Sequence, residues 1–239
     1  MQLSRTDFNL PDWLTVILRI LIVAIMPLAL VLINARLLMF PVYMNWEYKR
    51  PDFPPDDFGF TTSDRLTYAP LALEYLFNDQ GVEFLAQQTQ ADGTPVYNER
   101  ELSHMDDVKA VTQMLIRTGV ILVTIYLVSV ALLALSPRTR PALSRSLIWG
   151  GIVTIAVILI GIFLTLTAFD WLFAEFHHLF FTGDTWLFPT SDTLIRLFPQ
   201  QFWVDAFALM FGGALLEAAL IAGLMVWRLR RTNQSEEVK

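Results

Sequence analysis

The chain contains no cysteine among its 239 residues. That excludes disulfides, thiolate nucleophiles and thiolate metal ligands, so any acyl-enzyme would have to form on oxygen or nitrogen. Charge is also scarce. Asp, Glu, Lys and Arg make up 17% of the residues, where a soluble domain carries about a quarter. The shortfall is uneven, because long stretches hold no charge at all, and this excludes a soluble globular enzyme and a disordered chain. A net charge of −6 with a pI near 5.0 argues separately against a surface that grips a nucleic-acid backbone, so no nucleic-acid partner is expected. What the chain has instead is apolar residues, 54% of the total, and a mean hydropathy of +0.48. These values describe a membrane protein.

A transmembrane helix needs about 20 mostly apolar residues. Four stretches qualify: Leu14–Leu38, Met114–Leu135, Leu147–Ala168 and Phe202–Trp227. Arg19 and Arg36 near the ends of the first are expected to snorkel to the interfaces. Ser136–Ser146, with Arg138, Arg140 and Arg145, and the tail opened by Arg228, Arg230 and Arg231 lie on one side of a four-span chain. By their arginines that side reads as cytoplasmic, and the N-terminus with Arg5 joins it. The first stretch is too long for a signal-peptide core and reads as a retained anchor.

The expected organisation is therefore an N-terminal tail and first span (1–38), an extracytoplasmic cap (39–113), a second span (114–135) and a cytoplasmic loop (136–146). A third span (147–168), an aromatic-rich interfacial segment outside (169–201), a fourth span (202–227) and a cytoplasmic tail (228–239) follow. The fold class is an all-α membrane bundle of four transmembrane helices with a small mixed α/β extracytoplasmic cap. Within the cap, Thr61-Thr62-Ser63 ahead of Asp64 reads as a helix N-cap, with a helix to about Phe77 limited or kinked by Pro70. Val82–Gln88 and Pro95–Tyr97 flank Asp92-Gly93, a hairpin signal. From Glu99 the pattern turns helical and runs into the second span. Thr232–Lys239 reads as a disordered tail. There is no internal repeat and no low-complexity tract.

All three histidines fall in the outward segments. His104 sits in Glu101-Leu102-Ser103-His104-Met105-Asp106-Asp107. On a helix His104 and Asp107 are neighbours on one face, where the carboxylate would orient the imidazole and stabilise its protonated form. The alternative is a solvated polar turn ahead of a membrane helix. His177 and His178 lie in a strip crowded with Phe180, Phe181, Trp186, Leu187 and Phe188, which suits the bilayer interface. His177, Asp184, Asp192 and Arg196 among these aromatics mark either function or an aromatic belt with satisfied polar partners. At 1.5 Å per helical residue, His104 lies on the order of 15 Å before the second span and His177 on the order of 13 Å beyond the third, so the two rings reach a similar level if both lead-ins are helical. Two histidines with an acid could bind zinc, but HExxH spacing is absent and no metal ligands are assigned. Glu217 lies about 16 Å from Arg228, near mid-bilayer. Beside Gly212 and Gly213 it reads as packing glue, or otherwise as part of a proton or substrate path.

Tyr97-Asn98-Glu99-Arg100-Glu101-Leu102-Ser103-His104-Met105-Asp106-Asp107-Val108-Lys109 resembles the pre-helix motif of a bacterial family of four-span membrane proteins that includes the lipoprotein intramolecular transacylases. Phe176-His177-x-x-Phe180-Phe181, with Asp184-Thr185-Trp186-Leu187-Phe188 and Ser191-Asp192-Thr193-Leu194-Ile195, resembles its second motif. The resemblance implies acyl transfer from the diacylglycerol of a lipoprotein's N-terminal cysteine to that cysteine's own α-amine, giving the lyso-form, without a cofactor. The partners it implies are the diacylglyceryl-cysteine lipoprotein and membrane lipids. By position it makes His104 and His177 the catalytic pair and ranks His178 lower. Asp107, Arg196, Trp186, Asp192 and backbone amides around Gly183 become candidates for orienting the base or holding an oxyanion, and Ser103 a lesser candidate for an acyl-enzyme. Two other readings stay open: a non-catalytic assembly or transport subunit, and a metal-dependent membrane hydrolase using His104, Asp107 and His177.

Overall fold

The structure is a computed structural model that describes residues 9–237, and the side chains of residues 9–231. Arg5 lies outside the described residues. Helices α1 (Asp12–Leu38), α2 (Pro41–Glu47), α3 (Thr62–Phe77), α4 (Glu83–Ala86), α5 (Glu99–Leu135), α6 (Arg140–Thr167), α7 (Phe169–Phe180), α8 (Thr193–Leu197) and α9 (Gln200–Glu237) follow in order. Four of them, α1, α5, α6 and α9, are long and apolar enough to cross a membrane. Each outruns its apolar stretch. The loop expected over 136–146 contracts, because Thr139 turns back to accept the chain: its hydroxyl donates to the carbonyls of Leu133 and Ser136, and α6 starts at Arg140. The tail reading from Thr232 is likewise corrected. No Gly or Pro follows Trp227, so the backbone continues helical to Glu237.

The chain divides into two compact units. The first combines 9–34 with 118–161 and 211–237, which are parts of the four long helices and the connection between α5 and α6. Small residues set its close approaches. A Cβ on Gly151 would stand 2.8 Å from the Ala222 Cβ and 3.0 Å from the Ala218 carbonyl, so α6 and α9 touch there backbone to side chain. At Gly213 a Cβ would collide with the Asn34 side chain. Glu217, one turn on, accepts a 2.9 Å hydrogen bond from Asn34 Nδ2. The acid expected near mid-bilayer is thus bonded to α1, as an intramembrane polar group must be.

The second unit combines 35–117 with 162–210. Thr61 caps α3 through a reciprocal capping box with Asp64, and Pro70 is carried within the helix. The expected mixed α/β cap is not found. Among the described residues there is no strand, only an isolated bridge between Thr89 and Pro95. Gly93, at φ +83°, does make the turn, and Gln90 N–H donates to the Thr94 carbonyl at 2.8 Å. Val82–Gln88, however, winds through α4 because one helical turn delivers Leu85, wholly buried, into the core with Tyr75, Leu73 and Leu76. Tyr43 and Tyr48 donate their hydroxyls to the carbonyls of Phe202 and Leu197. Arg50 binds Asp205 and Asp52 at 2.8 and 2.6 Å, beside the fully buried Glu47.

Gly151→Leu should separate α6 from α9 and cost roughly 1–3 kcal/mol of stability, read as a lower Tm in detergent, whereas Gly212→Ala, with open space around its Cβ, should leave Tm unchanged. Burial, then the hydrogen bond and charge of Asp205, push the Glu47 carboxyl up to about 7 from 4.5, against the pull of Arg50. A proton held more tightly in the folded chain contributes stability that is full below the ordinary value and lost as pH rises through about 7. The Tm of the protein should therefore fall between about pH 5 and pH 8, and Glu47→Gln should flatten that slope.

Candidate active site

Helix α5 begins on a capping box that the sequence contains as Asn98-x-x-Glu101. Asn98 Oδ1 accepts the Glu101 N–H at 3.0 Å, and Glu101 Oε2 accepts the Asn98 N–H at 2.9 Å. Glu101 is 1% exposed, and its other oxygen accepts the Leu194 N–H of α8 at 2.7 Å. Next to it, the Thr193 hydroxyl donates to the Val96 carbonyl. These bonds tie the first turn of α5 to the segment that follows the second motif. His104, one turn beyond Glu101, turns into the same interior and is 7% exposed.

Helix α6 ends at Thr167, the chain bends at Ala168, and α7 restarts at Phe169 to carry His177. The His177 Nδ1 lies 2.7 Å from the Phe173 carbonyl. A carbonyl only accepts, so Nδ1 carries the proton and the lone pair of the neutral ring sits on Nε2. The rings of His104 and His177 stack, with centroids 6.3 Å apart and planes 20° from parallel. Aromatic rings enclose both: Phe181 and Phe188 at 5.1 and 5.2 Å from His104, and Phe173 and Trp186 at 4.1 and 4.7 Å from His177. Burial, with His178 next to it, holds the His177 imidazole below its ordinary value, so the ring is neutral near pH 7. The His104 Nδ1 is buried with no hydrogen-bond partner.

The structure brings the two histidines and Trp186 together and places the other candidates elsewhere. Asp107 is exposed and does not meet the unpartnered Nδ1 of His104, because His104 turns inward with Glu101 while Asp107 faces outward on the same helix. Arg196 is committed to Asp56 at 3.0 Å and lies 3.5 Å over the Phe60 ring. Asp192 pairs with Arg100 at 2.7 Å. The Trp186 indole N–H donates to the Gly183 carbonyl at 3.2 Å, so Trp186 acts here as a wall. Ser103 and His178 are exposed, with His178 5.3 Å edge-on to Trp186. Among the described residues no group of three or more His, Asp or Glu side chains could hold a metal ion. Two features were missed in the sequence. Glu101 was legible as the acid of a capping box, whereas the Phe173 carbonyl has no signal beyond its place one turn before His177. Glu101→Ala should orphan the buried Leu194 N–H and cost about 1–3 kcal/mol, read as a lower Tm, while Asp107→Ala should leave Tm within about 0.5 kcal/mol of the parent.

A family model described as the lipoprotein intramolecular transacylase Lit matches residues 19–203. An uncharacterized protein of Aquifex aeolicus is 32% identical over 189 residues, covering 79% of this chain and 84% of its own. Among solved structures, the membrane integral lipoprotein intramolecular transacylase Lit from Bacillus cereus superposes with a TM-score of 0.74 at 17% identity, covering 94% of this chain and 100% of that one. A variant of that protein with a histidine replaced by arginine gives a TM-score of 0.69, also at 17% identity, over 92% of this chain and 94% of its own. These likenesses share the four-helix membrane fold, and the family match runs from α1 through the start of α9 and takes in both histidines: the chain belongs to the lipoprotein intramolecular transacylase family.

Proposed function

We propose that the chain is a membrane-embedded acyltransferase that moves an ester-linked acyl chain of a diacylated lipoprotein to the α-amine of its N-terminal cysteine, with His104 and His177 as general acid and base. The observation that carries this reading is the stacked, buried imidazole pair, one ring of which has its tautomer fixed by the Phe173 carbonyl. In the proposed reaction the amine nitrogen attacks the ester carbonyl while Nε2 of His177 accepts the N–H proton. The N–C bond forms, the tetrahedral oxyanion collapses, and the ester C–O bond breaks. The glycerol oxygen takes a proton from the histidine pair and leaves as a hydroxyl. Atoms balance without a co-reactant, because donor and acceptor belong to one substrate. Holding them in one geometry supplies much of the rate. His104 gives the second proton path, since a reacting group would supply the partner that its Nδ1 lacks.

The positive-inside pattern of Arg138, Arg140, Arg145, Arg228, Arg230 and Arg231 supports an orientation with both termini cytoplasmic and the histidines at the outer leaflet. There the substrate's two chains would remain in lipid while its head reaches the pair. The metal-dependent hydrolase draws no support from the donor set, because Asp107 stands apart from both histidines.

Lipoprotein mass spectrometry in a heterologous bacterial host tests the proposal. Expression should convert diacyl termini to the N-acylated lyso-form. His104→Ala and His177→Ala should each abolish the product. His177→Asn, which keeps a donor for the Phe173 carbonyl but lacks Nε2, should do the same at an unchanged Tm. Unchanged diacyl termini with the parent and both histidine variants alike, together with copurification of another protein, would instead indicate an assembly subunit. Log rate should fall with pH below the substrate amine's value of about 7.7–8.0, with no second break near 6.5, because the buried His177 is already neutral there.

A further inference from the structure

The cap unit contains a cavity of about 390 Å³ that lies away from the histidines and is bordered by Tyr48, Phe53, Phe60, Thr62, Arg50 and Arg65. Arg65 decides its chemistry. The residue is 4% exposed, its guanidinium sits 5.0 Å over the Phe53 ring, and it makes no ion pair among the described residues. Nε donates to the Arg196 carbonyl at 2.9 Å and Nη1 to the Pro54 carbonyl at 2.7 Å. Those two bonds fix the plane of the group and leave Nη2 without an acceptor. Nη2 is not among the fully buried orphan atoms, which are Arg36 Nη1, Asn78 Nδ2, Tyr97 Oη and His104 Nδ1. It is therefore not fully enclosed, and Arg65 lines this cavity.

The surrounding charge does not cancel that of Arg65. Asp56 acts on it favourably and Arg196 unfavourably, and these two are already paired with each other at 3.0 Å. Arg50, on the far wall, is taken up by Asp52, Asp205 and Glu47. Arg65 and Arg196 thus share one buried carboxylate, Asp56, and a second anion would complete the pairing. Thr62 offers further donors, since its hydroxyl and its N–H, the first of the 16-residue α3, make no hydrogen bond among the described residues. A guanidinium with Nη2 left free, beside a helix start and with aromatic and proline walls, fits a phosphate oxyanion whose substituent is a short carbon skeleton. The volume is at the small end for ligand sites, enough for a headgroup rather than an acyl chain.

We propose that this cavity binds a phosphate group, through Arg65 Nη2 and the start of α3. The phosphate comes either from a phospholipid headgroup or from the free ion.

The test is isothermal titration of the detergent-solubilised full chain with inorganic phosphate, glycerophosphoglycerol and sodium acetate, alongside thermal melts. Phosphate and glycerophosphoglycerol should bind and raise Tm, and acetate should not. Thr62→Val, at an exposed position, should weaken both by about tenfold, and Arg65→Lys, which loses Nη2 and the two carbonyl bonds that position it, by at least as much. Glycerophosphoglycerol binding about tenfold tighter than phosphate would identify the headgroup as the source, and equal affinities would identify the free ion. Should Arg65→Lys fail to fold, Thr62→Val alone decides. The proposal is overturned if no phosphate probe binds, if acetate binds as well as phosphate, or if Thr62→Val binds phosphate like the parent.

Discussion

One buried carboxylate organises the cap unit. Glu101 has almost no contact with solvent, and an ionised or neutral carboxyl there needs donors for its oxygens. It takes them from both directions along the chain: the Asn98 N–H at the start of its own helix, and the Leu194 N–H some ninety residues later. Satisfying one acid thus sets the register between α5 and α8. The segment ahead of α8 is carried with it, which lays Phe188 against His104. The aromatic strip can be apolar and still have a defined geometry because a polar group underneath fixes where it lies.

How legible this was in the sequence varies with the kind of force involved. The four long helices follow from uninterrupted apolar runs, a signal that depends on solvent alone, and α3 follows from the Thr61–Asp64 capping box, which is local. Asp92-Gly93 announced a turn correctly, yet a turn does not specify what flanks it. Tertiary burial of Leu85 drew one flank into a helical turn and left a single bridge where a hairpin was expected. The histidines were found through motif resemblance and a helical height estimate, and the rings do stack. Two of the supporting candidates, Arg196 and Asp192, are engaged in ion pairs. Their partners are distant in sequence: Arg196 takes Asp56, and Asp192 of the second motif takes Arg100 of the first. Charge pairing across 140 and 92 residues has no signature in a single sequence.

Those distant pairings have a consequence for the site. With Arg196, Asp192, Arg50 and Asp205 each held in an ion pair, the rings that face the imidazoles are Phe173, Phe176, Phe181, Phe188 and Trp186. An aromatic enclosure disfavours an imidazolium, and the lowered proton affinity of His177 reflects it. The orienting group for His177 is a backbone carbonyl rather than a carboxylate. A carbonyl fixes the tautomer without adding the negative charge that would raise the ring's basicity.

A neutral base without a carboxylate behind it is weaker than the histidine of an acid–base–nucleophile triad, and it could not readily generate an alkoxide from serine. On the proposed reaction it does not need to. The nucleophile is an amine whose own proton affinity lies near 7.7–8.0, so about a tenth to a sixth of it is already uncharged at pH 7. The base accepts a proton only after the nitrogen has begun to bond carbon, when that proton has become far more acidic. Both reacting groups hang from one glyceryl-cysteine, so the entropic part of the barrier is met by the substrate's own connectivity. What remains for the protein is to exclude water, which would otherwise compete with the amine and turn transfer into hydrolysis. An enclosure of phenylalanine and tryptophan around two neutral imidazoles meets that requirement, and a charged, solvated triad would meet it less well.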